Sequence, residues 1–292
     1  LADRPAAGIL SVIHGLPRRA ALQQDFPMVP FFRSLRSLSA AALGLGLVAH
    51  GAGAAPPFGD TAGTVFDIIR VDDPGTFSCL EDLGRGARQI WDKRVDGEPV
   101  VNAHLFMARY SDGTNIEIAI NPEFGREEAQ AQALRFAEPL GRLPTLLREG
   151  IGKFSLHDGD EGFHAGTGQI VFYDDLATYR ESYDHLEESL FHEAVHASLD
   201  DAHRLAPDWL AAQAADGGFL TDYGEGSPER EDLAETALFA FAILHHPGRL
   251  PPVDTQDTLA AVPNRIAYIE KHLFPPGAPL TWQVAEPQAC SG

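Results

Sequence analysis

Between Leu186 and Leu199 the chain is apolar around most of a helical circumference, yet the same stretch carries two histidines and a glutamate. Leu186, Leu190, Ala194 and Ala197 form one stripe at helical spacing, and Phe191, Val195 and Leu199 form a second beside it. A helix apolar on so much of its surface is buried, and His192, Glu193 and His196 take the arc that remains. Burying three such groups is unfavourable unless something pairs with them. Residues 192–196 read His-Glu-Ala-Val-His, which sets both imidazoles on one helical face, where each can present a ring nitrogen to one metal ion. Glu193 projects beside them, where a base for a metal-activated water belongs. Asp184 with Glu187 makes the pattern of a capping box, so a helix start is expected at about 182–186.

A catalytic zinc takes three protein ligands and keeps one position open. The downstream candidates for the third ligand are Asp200, Asp201, His203, Glu231 and Glu235. His203 falls one position too far from His192 for the compact three-histidine pattern, and Leu199 stands where that pattern needs glycine. Glu231-Asp232-Leu233-Ala234-Glu235 opens a second apolar helix, with Ser227-Pro228 as its expected start. Glu231 and Glu235 share a face, so one can bind the metal while the other orients a ligating histidine from behind.

The N-terminus reads differently. Arg33 and Arg36 precede an apolar run over 38–49 that leads into Ala52-Gly53-Ala54. A positive flank, a short apolar segment and small residues at the end are the parts of a secretory signal peptide. The run is too short for the ~20 residues a permanent transmembrane helix needs. Residues 28–54 are therefore expected to be a signal peptide cleaved after Ala54, and residues 1–27, ahead of Met28, an upstream extension outside the mature protein. A secreted or periplasmic location follows, with no stable membrane insertion after cleavage. The formal net charge of −20 argues against a nucleic-acid partner, because such proteins neutralise phosphates with Lys and Arg. Two cysteines exclude a disulfide-dense scaffold and a four-thiolate zinc site. In an exported chain, Cys79 and Cys290 are expected to pair with each other.

Along the remaining chain, strands are expected over 64–71, 100–110, 115–120 and 168–173, with Ser111-Asp112-Gly113-Thr114 as a hairpin turn. Helices are expected over 79–94, 125–140 and from 143 to 148, and the pattern is mostly helical from Asp184 to about Phe274. Strands first and helices afterwards indicate an α+β domain, with residues 55–135 as its N-terminal α/β portion and 136–292 as the portion that holds the metal motif.

The two motifs together resemble the gluzincin class of HExxH zinc metallopeptidases. Residues 190–201, with Tyr223 and the run Glu231–Glu235, are similar to the catalytic domain of anthrax lethal factor and to secreted Pro-Pro endopeptidases. The resemblance covers roughly residues 140–275. It implies a zincin-like domain in which a small mixed sheet is followed by an active-site helix and a glutamate helix. It implies Zn2+ on His192, His196 and Glu231, with Glu193 as general base, Glu235 behind the ligands and an active-site edge strand at 168–173. A tyrosine upstream of the ligand glutamate steadies the oxyanion in that family; here it is Tyr223, one position further from Glu231 than the family pattern. The implied substrate is a peptide or protein. Residues 55–135 carry no such resemblance, so the family's cleavage preferences are not carried over. The alternative is an exported zinc-binding module without hydrolytic activity. Glu193 favours the enzyme, since a structural site has no use for an acid there and prefers Cys ligands.

Overall fold

The first long element, Phe77–Gln89 (β1), is a strand in the computed structural model, which describes residues 55–64 and 66–284. The helix expected over 79–94 is thus corrected. Leu80, Leu83, Ala87 and Ile90 recur at helical spacing, but β1 pairs antiparallel with Val100–Tyr110 (β2) from Phe77 opposite Tyr110 to Gln89 opposite Val100. Tertiary pairing overrides the local pattern. The register shifts between Asp82 and Gly84, where Gly84 has φ +80°, the mark of a bulge. At Gly86 the strands approach so closely that a Cβ would come within 2.7 Å of Leu105 Cδ1. Cys79 lies in β1 and is not a free thiol; Cys290 lies outside the described residues, as do the expected signal peptide at 28–54 and extension at 1–27.

The Asp112-Gly113 turn, with Gly113 at φ +87°, leads from β2 into Asn115–Ile120 (β3) as the sequence pattern implies. Arg126–Leu140 (α1) and the single turn Thr145–Arg148 (α2) follow, then Lys153–His157 (β4), His164–Gly166 (β5) and Gln169–Tyr173 (β6). The six strands form one mixed sheet in the order β1-β2-β3-β4-β6-β5, with the β3/β4 and β4/β6 pairs parallel. Expected to be an edge strand, β6 lies inside the sheet. Its Ile170 and Phe172 are buried on one face and its Val171 and Tyr173 on the other, as an interior strand requires. The edge beside it is the three-residue β5, paired on one side only.

The helices run Asp174–Glu181 (α3), Leu186–His203 (α4), Pro207–Asp216 (α5), Asp222–Gly226 (α6), Asp232–His245 (α7), Pro252–Ala261 (α8) and Pro263–His272 (α9). They cover one face of the sheet and share with it a single large core, in which Phe154 and Phe172 of the sheet meet Phe136 of α1. Phe191 of α4 packs on Phe241 of α7 at 5.0 Å between ring centres, which sets those two helices side by side. The capping box expected at the start of α4 is not formed. Asp184 takes φ +55°, His185 is the N-cap without a side-chain bond, and Glu187 pairs instead with Arg142 at 2.9 Å. Similarly, α7 begins at Asp232 rather than at Ser227-Pro228, with Glu231 as its N-cap.

No strand forms among the described residues of 64–71. The N–H groups of Ile68 and Ile69 donate to Oε1 of Glu188 on α4, at 2.6 and 2.8 Å, while both side chains are buried. A helix side chain thus satisfies backbone that β-branched alternation would have sent to a ladder. The boundary expected at 135–136 falls inside α1, within one compact unit. No helix among the described residues is long and apolar enough to cross a membrane.

Candidate metal centre

His192 and His196 stand one turn apart on α4, and the N-cap of α7 brings Glu231 to them across the helix pair. His192 Nε2 and His196 Nε2 are 3.2 Å apart. Oε2 of Glu231 lies 3.1 Å from the first-named atom's partner, His196 Nε2, and 3.4 Å from His192 Nε2. The three donors lie within 4.8 Å of one another and could hold one metal ion; no other such group occurs among the described residues. His203, excluded by spacing, is elsewhere: its Nδ1 meets the hydroxyl of Tyr268 at 2.8 Å.

The other ring nitrogen of each histidine faces a carboxylate. His196 Nδ1 lies 3.0 Å from Asp200 Oδ2, and His192 Nδ1 lies 3.2 Å from Glu235 Oε1. Such partners hold Nδ1 as the donor and leave the Nε2 lone pair free for a metal. Glu235 is itself fixed from a distant part of the chain. The hydroxyl of Thr61 donates to its Oε1 at 2.6 Å and the N–H of Thr61 to its Oε2 at 2.9 Å. Thr61 carries no motif and lies in an irregular segment, so nothing in the sequence pointed to it. Asp200 had a signal, a carboxylate one turn past His196, although it faces the outer nitrogen and stays outside the converging donors.

Charge at this cluster is unbalanced. Burial opposes protonation of His196, but its bonds to Asp200 and Glu231 prevail and raise it to about 9. Burial also works against His192, and Glu231 and Glu235 outweigh it. Glu231 responds in the opposite sense: burial would raise its carboxyl, yet the two imidazoles hold it well below the usual range. Both rings are thus drawn to a second proton among three carboxylates, and a dication on their Nε2 atoms would supply that positive charge instead.

Glu193 lies beside the donors, its carboxyl pushed up by burial and pulled back by His192 and His196. Two cavities, of about 190 and about 420 Å³, meet at this point and share His192, Glu193, Phe163 and Tyr223 in their walls. His164 and Ala165 of the edge strand β5 line the larger one. Tyr223 sits in the first turn of α6 with its N–H on the carbonyl of Gly59 at 2.9 Å, and it is half-exposed. Burial and the charges of Glu231 and Glu193 push its phenol up to about 12, so it is a proton donor at neutral pH. The arrangement brings together ligand donors, a free carboxylate and a neutral phenol on a cleft. No family model matches the chain, and no curated protein or solved structure matches it either.

Proposed function

We propose that this protein is an exported zinc-dependent endopeptidase of the gluzincin type. The observation that carries the reading is the spacing of the three donors. With zinc–ligand bonds of about 2.0–2.1 Å, the edges of a tetrahedron are roughly 3.3 Å. The separations of 3.2, 3.1 and 3.4 Å among His192, His196 and Glu231 fit that figure. Two nitrogens, each backed by a carboxylate on the ring's other nitrogen, and one carboxylate oxygen are the donor set of a catalytic zinc.

Bound there, zinc supplies Lewis acidity to the scissile carbonyl and acidifies a water at its open position. The chain's own residues do the rest. Glu193 takes the proton from the attacking water at its carboxylate and returns it to the leaving amine. Its raised carboxyl suits both tasks better than that of an exposed glutamate would. Tyr223 keeps its proton and donates a hydrogen bond to the oxygen on which negative charge develops. The unpaired side of β5 offers backbone groups to an extended peptide, which would join the sheet as a further strand next to the cluster. The acidic surface suits a soluble exported enzyme and disfavours nucleic acid.

Metal content and cleavage of a quenched peptide library test this together. Glu193→Gln should retain one equivalent of zinc while hydrolysis nearly stops. Glu231→Gln should lose zinc affinity itself, and His203→Ala should alter neither. Full zinc in Glu231→Gln would refute the ligand set. One equivalent of zinc in the parent with no peptide cleaved would leave a zinc-binding module in place of an enzyme.

A further inference from the structure

The smaller cavity runs from Glu193 past Ala62, Phe163 and Leu176 to Arg180, in the last turn of α3. At about 190 Å³ it is smaller than the ~300–1,000 Å³ typical of whole-ligand pockets, so it suits one side chain. Arg180 is held there by one nitrogen. Its Nη1 donates to the carbonyl of Ala62 at 2.6 Å and to the hydroxyl of Tyr183, whose ring stacks on that of His185. Nε of Arg180 is buried and has no partner, and Nη2 meets no acceptor among the described residues.

This guanidinium is unusual in its own surroundings. Arg135, on the helix that faces α3, closes ion pairs with Asp174 and Glu181. Arg94, Arg142, Arg148, Arg249 and Arg265 are likewise bound to carboxylates. Among the described residues Arg180 closes no ion pair, although the chain carries 42 acidic residues against 22 basic ones. Four acids line the same cavity, Asp60, Glu188, Glu193 and Glu235, and none of them pairs with Arg180; Oε2 of Glu188 is buried without a partner, on a carboxyl that burial raises to about 8. Asp60, on the same rim, accepts the N–H of Gly63, and Oε1 of Glu188 accepts those of Ile68 and Ile69. Nη2 of this always-charged group is thus left without an acceptor at the cavity, and a carboxylate is the partner its charge calls for.

We propose that this cavity reads a carboxylate of the substrate beside the scissile bond, received by Nη2 of Arg180. The inference rests on the endopeptidase reading and names its substrate class, acidic peptides. The carboxylate has two sources, an Asp or Glu side chain within the peptide or the peptide's own C-terminus.

Zinc-loaded protein and its Arg180→Gln and Arg180→Lys variants should be given paired peptides that differ as Glu against Gln at each position flanking the cleaved bond, each with a free and an amidated C-terminus. The parent should prefer Glu at one position, and Arg180→Gln should reduce the Glu/Gln ratio of kcat/KM on the order of 10–100-fold. Arg180→Lys, which keeps the charge without the guanidinium, should fall between. A preference that follows the free C-terminus and is lost in Arg180→Gln would assign the pocket to the terminal carboxylate. Equal treatment of Glu and Gln, free and amidated, by the parent would overturn the proposal. Binding of the same peptides to zinc-loaded Glu193→Gln, measured by calorimetry, reads the pocket without turnover. Glu and Gln peptides bound equally there would overturn it while leaving the endopeptidase reading standing. Preferential Glu binding in a parent that cleaves nothing would uphold the pocket while that reading fell.

Discussion

Arg265 is the buried clamp under the turn that carries Glu231, and replacing it by methionine tests how firmly that turn is held. Its side chain is fully buried on α9. Nε bonds Asp216 at the end of α5 at 3.0 Å, Nη1 bonds Asp232 in the first turn of α7, and Nη2 bonds the carbonyl of Gly218. Phe219 lies over the guanidinium at 5.1 Å. Asp232 directly follows Glu231, so the clamp fixes the turn from which Glu231 projects. Removing one member of a buried pair costs about 3–5 kcal/mol, because a charge is left without its partner. Here two carboxylates are released, but each keeps neutral donors: Asn264 on Asp216 and Gln213 on Asp232, at 2.8 and 2.9 Å. A loss of about 3–4 kcal/mol is therefore expected for Arg265→Met. At about 2–4 °C per kcal/mol in a domain of this size, Tm should fall by roughly 6–16 °C. The pH dependence gives an internal control. Burial already raises the Asp232 carboxyl against the pull of Arg265, and without Arg265 it rises further. A folded value above the unfolded one contributes stability that is present at low pH and lost as pH climbs through the folded value. The deficit of the variant should thus be smaller at about pH 4.5 than at about pH 7.5. Scanning calorimetry of both proteins at the two pH values decides it, and a Tm within about 2 °C of the parent at the higher pH would refute the clamp.

Three further outcomes are expected. Burial raises the Glu188 carboxyl to about 8, so its contribution to stability is complete below ~4.3, the unfolded value, and is lost as pH rises through about 8. Glu188→Gln should gain on the parent between about pH 5 and 8.5, by on the order of a few kcal/mol in urea denaturation, and parallel pH curves would contradict this. Thr61→Val removes the hydroxyl on Glu235 but keeps its N–H, so zinc affinity by chelator competition should drop about tenfold, the low end of the range for such supporting bonds; an unchanged affinity would leave Thr61 a packing residue. Gly150→Ala would put a Cβ 2.6 Å from Ser198 Cα in the middle of α4, so a loss of about 1–3 kcal/mol is expected together with weaker zinc binding. Normal stability in that variant would show that α4 can yield at this point.

What was readable in the chain was whatever depends on local period. The alternation through β2 and β3, with Asp112-Gly113 between them, could be taken directly from the residue order, and so could the two apolar stripes of α4. His192, Glu193 and His196 come from one helical face, and Glu231 and Glu235 from another, so the cluster was visible as two short patterns. Where two periods coincide, the reading failed. Leu80, Leu83, Ala87 and Ile90 fit a helix, and only Gly84 and Gly86 spoke against it. Residues 64–71 alternate as a strand does, but their partner is the side chain of Glu188, which lies 120 residues from Ile68. Thr61 and Arg180 escaped notice for the same reason. Neither belongs to a repeating pattern, and each acquires its role from what the fold sets beside it.

The segment that carries Thr61 links these failures to the site itself. Phe58 bridges to Thr221, Gly59 accepts the N–H of Tyr223, and Thr61 gives both of its donors to Glu235. Ala62, next along, accepts from Arg180. Within five residues the chain thus touches the backbone of Tyr223, the carboxylate behind His192 and the arginine of the side pocket. Without these bonds Glu235 would be a buried carboxylate supported by His192 and Thr221 only, and α6 would lose the anchor that holds Tyr223 beside the cleft. Any processing compatible with the assembled cluster must therefore cut before Phe58. The candidate donors lie on two helices, but the geometry that brings them and their partners together depends on an irregular segment more than a hundred residues earlier, as the separation of 131 between Thr61 and His192 shows.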